Sequence, residues 1–363
     1  MNNKFKIGIL LTICFGILLF IFVYIGGYLS IQTDKITLNN AKVLNFVEVD
    51  GIKINMRKYG NINSPKHTIV CISDYKDDDF SITSELITKN QLTDNQVVVV
   101  DRPGYGFSDD STKEQSIDYI LSIYRNALSK SDIKPPYILV GDGFGAVYAT
   151  YWESTFENEI EGMILINPFI IPDTGVLVKT EDQYKVSSAD LLYVLISKMG
   201  FHRLFVNLED IVPWAGLKKE YAELSKPLSY KNHYSYAKHS ENVNKYNNLV
   251  KVSKNFQTTD MPKLFINSVL NNKNDAEEYY KYMNSLYEES GSKSPYLLDE
   301  KNIAYQYARY ERQNKEFKTT TIDPYLIALG NTYYEYIPGY ERIYIQKPDE
   351  VQYAVDNYMK QFN

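Results

Sequence analysis

Cysteine is nearly absent from this sequence of 363 residues: only Cys14 and Cys71 occur. Cys14 lies in a long apolar run and Cys71 in a short apolar strand, so no intramolecular disulfide is expected and stability must come from the core. Histidine is scarce too. His67, His202, His233 and His239 are the four, none follows His239, and none has metal-ligand spacing. His233 and His239 stand in a polar tract and are expected at the surface. No excess of positive charge exists, with 39 Lys+Arg against 45 Asp+Glu, so nonspecific nucleic-acid binding is excluded. Dinucleotide and phosphate-loop glycine patterns and the calcium-loop D-x-D-x-D-G spacing are also missing, and no cofactor or metal is expected. A second long apolar run is lacking, which excludes a multi-span membrane protein. What is abundant is apolar and aromatic side chain, at 44% and 14%, enough for a large core and against global disorder. The 33 tyrosines and the preference for lysine over arginine read as compositional bias and are assigned no chemistry.

From Ile7 to Leu29 there are 23 residues without a charge. At about 1.5 Å per residue they suffice to cross a hydrocarbon core of about 30 Å. A cleaved signal peptide has a shorter apolar stretch and small residues at its cleavage site; this run is too long and no A-x-A pattern follows Gly27. An uncleaved anchor is therefore expected, with residues 1–6 cytoplasmic, 7–29 spanning the membrane and 30–42 a linker. Lys4 and Lys6 lie on the short side, so the positive-inside rule keeps that end in the cytoplasm and places the body outside it.

The body opens with two alternating segments, Val43 to Glu48 and Ile52 to Tyr59, around Asp50-Gly51, which predicts a tight hairpin. Short β-branched runs follow at His67 to Ser73, Gln96 to Asp101, Tyr137 to Val140 and Gly162 to Ile166, separated by helical patterns. This rhythm predicts a mostly parallel sheet covered by helices on both faces, an α/β fold. Past Pro168 it breaks. Residues 169–258 carry helical patterns and no convincing strand; the sheet resumes at Lys263 to Asn267 and continues near Thr332 to Ile337, before a last helix from Pro348 to Phe362. A helical cap over 169–258, inserted between core segments 43–168 and 259–363, is expected, with a separate small helical domain as the alternative.

The stretch Tyr137 to Tyr151 runs a buried strand through Gly141-Asp142-Gly143-Phe144-Gly145 directly into a helix. Glycines two places either side of a central residue suit a strained strand-to-helix turn. With Asp101-Arg102-Pro103-Gly104-Tyr105-Gly106-Phe107-Ser108 after the preceding strand, and Lys347-Pro348-Asp349-Glu350-Val351 near the end, the body resembles the α/β-hydrolase family over nearly all of residues 43 to 362. The resemblance implies a nucleophile at the centre of a G-x-S-x-G elbow, a histidine base, an acid, and backbone donors for an oxyanion.

At each of these positions the sequence departs from the pattern. The nucleophile position is Gly143. Counting back from Pro348 places the base position at Glu341, after Tyr340. The acid position falls near Asn271, with Asp275 close by, or at Asp173 after the sixth strand. The loop that often reads His-Gly is Ser73-Asp74, leaving Asp74, Tyr75, Asp142 and Phe144 as candidate pocket or oxyanion residues. Asp142 as an aspartate nucleophile does not fit the glycine register, and no base would release the ester. The run Asp74 to Asp79 reads as a solvated acidic loop, or as a carboxylate cluster with Asp142 and Glu341 that holds a cation.

Acyl transfer needs a hydroxyl, a base and oxyanion donors together. The expected function is thus a membrane-anchored pseudo-hydrolase that binds a small ligand or a protein. The alternative is an active esterase- or lipase-like hydrolase on non-standard residues. If the alignment holds, Gly143→Ser with Glu341→His is expected to restore weak esterase activity.

Overall fold

Runs rich in Val and Ile build the centre of the molecule, where both faces of each strand are covered. The computed structural model describes residues 3–75, 77–171, 186–204, 206, 216–270 and 272–362. Eight strands form one sheet: β1 (Phe46–Val49), β2 (Ile52–Gly60), β3 (Thr68–Ile72), β4 (Gln96–Val100), β5 (Tyr137–Asp142), β6 (Ile160–Ile166), β7 (Thr259–Val269) and β8 (Gly330–Pro338). Their order is β1-β2-β4-β3-β5-β6-β7-β8. The hairpin β1–β2 and the pair β2–β4 are antiparallel, and all other pairings are parallel. All residues of β3, β4 and β5 are buried, as expected of strands sandwiched between helix layers.

The helices longer than one turn, numbered along the chain, are α1 (Asn3–Asn39), α2 (Ile117–Lys130), α3 (Gly145–Thr155), α4 (Ser188–Lys198), α5 (Ala222–Asn232), α6 (Tyr236–Asn255), α7 (Lys273–Ser290), α8 (Glu300–Phe317), α9 (Asp323–Leu329) and α10 (Pro348–Met359). Several begin where a side chain satisfies a free amide: Ser116, Ser187, Ser235 and Asn272 each cap a first turn. One core lies on the α2 and α3 face of the sheet, around Tyr124, Trp152 and Phe265. A second lies on the α10 face, around Phe80, Tyr344 and Val355. Between β6 and β7 the described residues contain helices and no strand. A second helical excursion, α7, α8 and α9, separates β7 from β8.

Among the described residues one helix, α1, is long and apolar enough to cross a membrane. It does not end at Leu29. The helix continues to Asn39, so most of the stretch expected as a linker is an extension of the rod. The reason is packing: Leu38 is buried beside Leu228 of α5, and Arg203 reaches back to pair with Asp34 and to donate to Ser30 Oγ at 2.8 Å.

Candidate functional site

The segment Asp101 to Ser108 builds the wall beneath the site. Burial raises the Asp101 carboxyl above its ordinary range, and Ser81, the Phe107 amide and Asn55 oppose that by donating to it. Arg102 is fully buried. Its guanidinium donates to Ser73 O at 2.7 Å and Asp74 O at 3.0 Å, and pairs at 3.4 Å with Glu241 of α6. One cation therefore fixes the loop after β3 and ties the helices between β6 and β7 down onto it.

At the elbow, β5 turns into α3 through Gly143, whose φ of +51° lies in the left-handed region. What occupies the space beside it is the side chain of Asp74. A Cβ on Gly143 would lie closer than 3.0 Å to the Asp74 carboxyl group. The same carboxylate accepts from two backbone amides through Oδ1, Phe144 N–H at 2.6 Å and Tyr75 N–H at 2.7 Å. These are the two amides that the family resemblance assigns to the oxyanion. Asp74 thus sits on both donors and fills the room a nucleophile side chain would need. Burial raises its pKa, and the two amides oppose the rise by stabilising the charged form.

The rest of the acidic loop is not a solvated run. Asp77, Asp78 and Asp79 are only 5–8% exposed. Arg342 pairs with Asp77 and, at 3.8 Å, with Asp79. Lys238 holds Asp78 at 2.6 Å, and Asn232 donates to it at 3.0 Å. These partners come from α5, α6 and the turn before α10, so the sequence of the loop alone shows no sign of them. Asp142 lies beside these acids, with Tyr344 donating to it and to Asp77, each at 3.4 Å. Burial drives Asp142 well above the carboxylate range, and the neighbouring Asp74 and Asp77 add to that. Burial likewise raises Asp79 to about 7 against the pull of Arg342.

A cavity of about 880 Å³ opens over this floor. It collects Asp74, Tyr75, Asp142, Gly143, Phe144 and Glu341 at one place, and adds Arg342, Tyr279, Tyr282 and Tyr296. Lys245 of α6 stands over three of its rings, 4.9 to 5.2 Å from the centres of Phe144, Phe169 and Tyr75. Glu341 is solvent-exposed on the rim; the next residue, Arg342, reaches the buried acids. Asn271 and Asp173 lie outside the described residues, and Asp275, in the first turn of α7, does not line the cavity. No group of three or more His, Cys, Asp or Glu suited to a metal ion occurs among the described residues. His202 is buried, while His233 and His239 are half-buried rather than at the surface. His233 stacks on His202 at 5.6 Å, and His239 on Tyr234 at 5.8 Å.

Arg342, Lys238 and Lys245 escape sequence reasoning because no spacing links them to the loop they face. The one available signal is position: Arg342 directly follows the residue counted back from Pro348. The expected rescue by Gly143→Ser with Glu341→His also requires the Asp74 carboxyl to move aside, because it stands where a Cβ on Gly143 would project.

No protein-family model matches the chain. Among proteins of known sequence it is similar to the uncharacterized protein YbdG of Bacillus subtilis, 31% identical over 209 residues. The match covers 56% of this chain and 61% of that protein, less than two thirds of its length. Solved structures align over far more of the chain. The Cfl2 protein of Burkholderia cenocepacia matches with a TM-score of 0.54 at 14% identity, covering 88% of this chain and 94% of the other. The haloalkane dehalogenase DatA of Agrobacterium tumefaciens matches with a TM-score of 0.52 at 14% identity, over 90% and 99%. Together with the strand order and the elbow, these place the chain in the α/β-hydrolase fold, preceded by an apolar N-terminal helix. At such identities the likeness concerns the fold alone, and function must be argued from the site.

Proposed function

We propose that this protein is a membrane-anchored, extracytoplasmic pseudo-hydrolase, which uses the α/β-hydrolase pocket to bind a ligand or a protein and performs no acyl transfer. One observation carries the reading: the Asp74 carboxylate accepts from both Phe144 N–H and Tyr75 N–H and lies where a side chain on Gly143 would project. A tetrahedral oxyanion needs those donors free. Here an anion belonging to the protein is already on them, and a substrate carbonyl would have to displace it. The nucleophile position has no side chain, and the base position is an exposed carboxylate. Loss of nucleophile and base together costs on the order of 10⁶ in turnover in a serine hydrolase, which leaves binding as the use of the pocket.

The cavity suits that use. Its volume falls in the usual range for a small-molecule site, with rings of Tyr75, Phe144, Phe169, Tyr279, Tyr282 and Tyr296 for contact and carboxylates for orientation. The apolar run of α1 with Lys4 and Lys6 before it supports an anchor whose short end is cytoplasmic.

The test is treatment of the purified full-length chain with a fluorophosphonate serine-hydrolase probe, beside a panel of short-chain esters. No labelling and no turnover above a denatured control are expected. Labelling or turnover would favour the alternative, an active esterase- or lipase-like hydrolase on non-standard residues, and overturn this reading.

A further inference from the structure

Helix α4 is built the wrong way out for a water-soluble cap. Leu191, Leu192, Tyr193 and Leu195 are 48–55% exposed, while the buried positions are only Val194 and Ser197. Leu204, just beyond it, is also exposed. A solvated helix turns its apolar stripe inward, and a contiguous apolar patch on a surface marks something that covers it.

The covering agent is indicated by what this segment touches. Phe201 packs its ring on Phe20 at 5.2 Å and on Tyr24 at 6.4 Å. Gly200 and Gly27 meet backbone to backbone, so closely that a Cβ on Gly200 would lie 2.9 Å from Gly27 Cα. Phe20, Tyr24 and Gly27 all belong to the uncharged run Ile7 to Leu29. Phe20 stands nine residues before Leu29, about 13 Å along the helix axis, in a run that matches a hydrocarbon core of about 30 Å. A segment held against Phe20 cannot stay in water if α1 crosses the bilayer. Arg203 fixes the geometry by pairing with Asp34 and donating to Ser30, both beyond the run, at the depth where charged groups meet lipid headgroups.

We propose that α4 and residues 199–204 form a second membrane-contacting surface, immersed in the body-side half of the same phospholipid bilayer that α1 spans. This rests on the anchor reading of α1, and lipid is what covers the patch. It makes the protein a body seated in the face of the bilayer with a transmembrane rod along its edge, rather than a soluble domain on a tether. Tyr193, stacked on Tyr234 at 5.7 Å, then lies at the interface, where amphipathic rings concentrate.

The experiment uses the full-length chain in phosphatidylcholine vesicles. In a Cys14→Ser background, with buried Cys71 left in place, single variants Leu192→Cys and Leu195→Cys carry an environment-sensitive fluorophore. Phe22→Cys, on the exposed face of α1, and Tyr353→Cys, exposed on α10, are the lipid and water references. Quenching by lipid-borne nitroxide is expected to be several-fold stronger at 192 and 195 than at 353, and quenching by aqueous iodide several-fold weaker. If both positions behave like 353 while 22 behaves as lipid-buried, the anchor stands and this proposal is overturned. If 22 is also open to iodide, the anchor reading falls and the immersion of α4 falls with it.

Discussion

Placing a side chain at position 143 tests the packing of the elbow directly. Gly143→Ser introduces a Cβ at a φ of +51°, a left-handed conformation that costs an ordinary residue about 1–2 kcal/mol. It also drives that carbon into the Asp74 carboxyl group, and overpacking of this kind costs about 1–3 kcal/mol. The single substitution should therefore destabilise the fold by about 2–5 kcal/mol. Asp74→Ala alone loses two amide hydrogen bonds but admits water to the donors, at a net cost of about 1–3 kcal/mol. In the double variant the collision disappears and only the backbone strain remains. The two substitutions should thus couple favourably by about 1–3 kcal/mol, well outside the scatter of about 0.5 kcal/mol for independent sites. Urea unfolding of the full-length chain in detergent, for wild type, both singles and the double, measures the coupling. Additive losses would refute the packing argument, because they would mean that Asp74 does not share space with position 143.

Four further outcomes are expected. Asp79, raised by burial to about 7 in the folded protein, against an ordinary value near 4, binds its proton more tightly when folded. Its contribution is full below pH 4 and is lost as pH rises through 7, an effect of up to about 4 kcal/mol; Asp79→Asn should flatten the profile, and stability that rises over this window would contradict it. Arg342→Ala leaves Asp77 and Asp79 without their cation and should cost about 3–5 kcal/mol in urea unfolding, whereas a loss under 1 kcal/mol would mean the pair is not buried together. Glu341→Gln, at an exposed position, should change stability by no more than about 0.5 kcal/mol; a larger loss would give Glu341 a structural role on the cavity floor. A cysteine at Tyr353 should react with a membrane-impermeant maleimide in intact cells, and reaction only after lysis would reverse the proposed topology.

The sheet was legible because its signal is local. Val97 to Val100 and Ile138 to Val140 are β-branched or apolar runs bounded by turns, and the glycines of the elbow announce a strand-to-helix junction. The strand ends were less legible: β7 begins at Thr259 and runs to Val269, past the apolar core Lys263 to Asn267 that betrays it. What could not be read was long-range compensation. Six residues with four aspartates look solvated until Arg342 and Lys238 arrive from distant elements to neutralise them. The extension of α1 to Asn39 was hidden for a similar reason. Gln32, Asp34 and Lys35 carry no anchor signal, and their helix is held by contacts with Arg203 and α5. The tyrosines over the cavity disappear into a composition already rich in tyrosine. Gly143 at the centre of the elbow and Glu341 ahead of Pro348 could be read from single positions, but the Asp74 carboxyl beside Gly143 is a fact of three-dimensional packing.

Whether the oxyanion donors are closed off turns on one carboxylate, and a crystal structure of the elbow reads it out. Asp74 Oδ1 is expected within hydrogen-bond distance of both Phe144 N and Tyr75 N, with no water between. An Asp74 side chain turned out into the cavity, with water on the two amides, would contradict it and would restore an open oxyanion site to this fold.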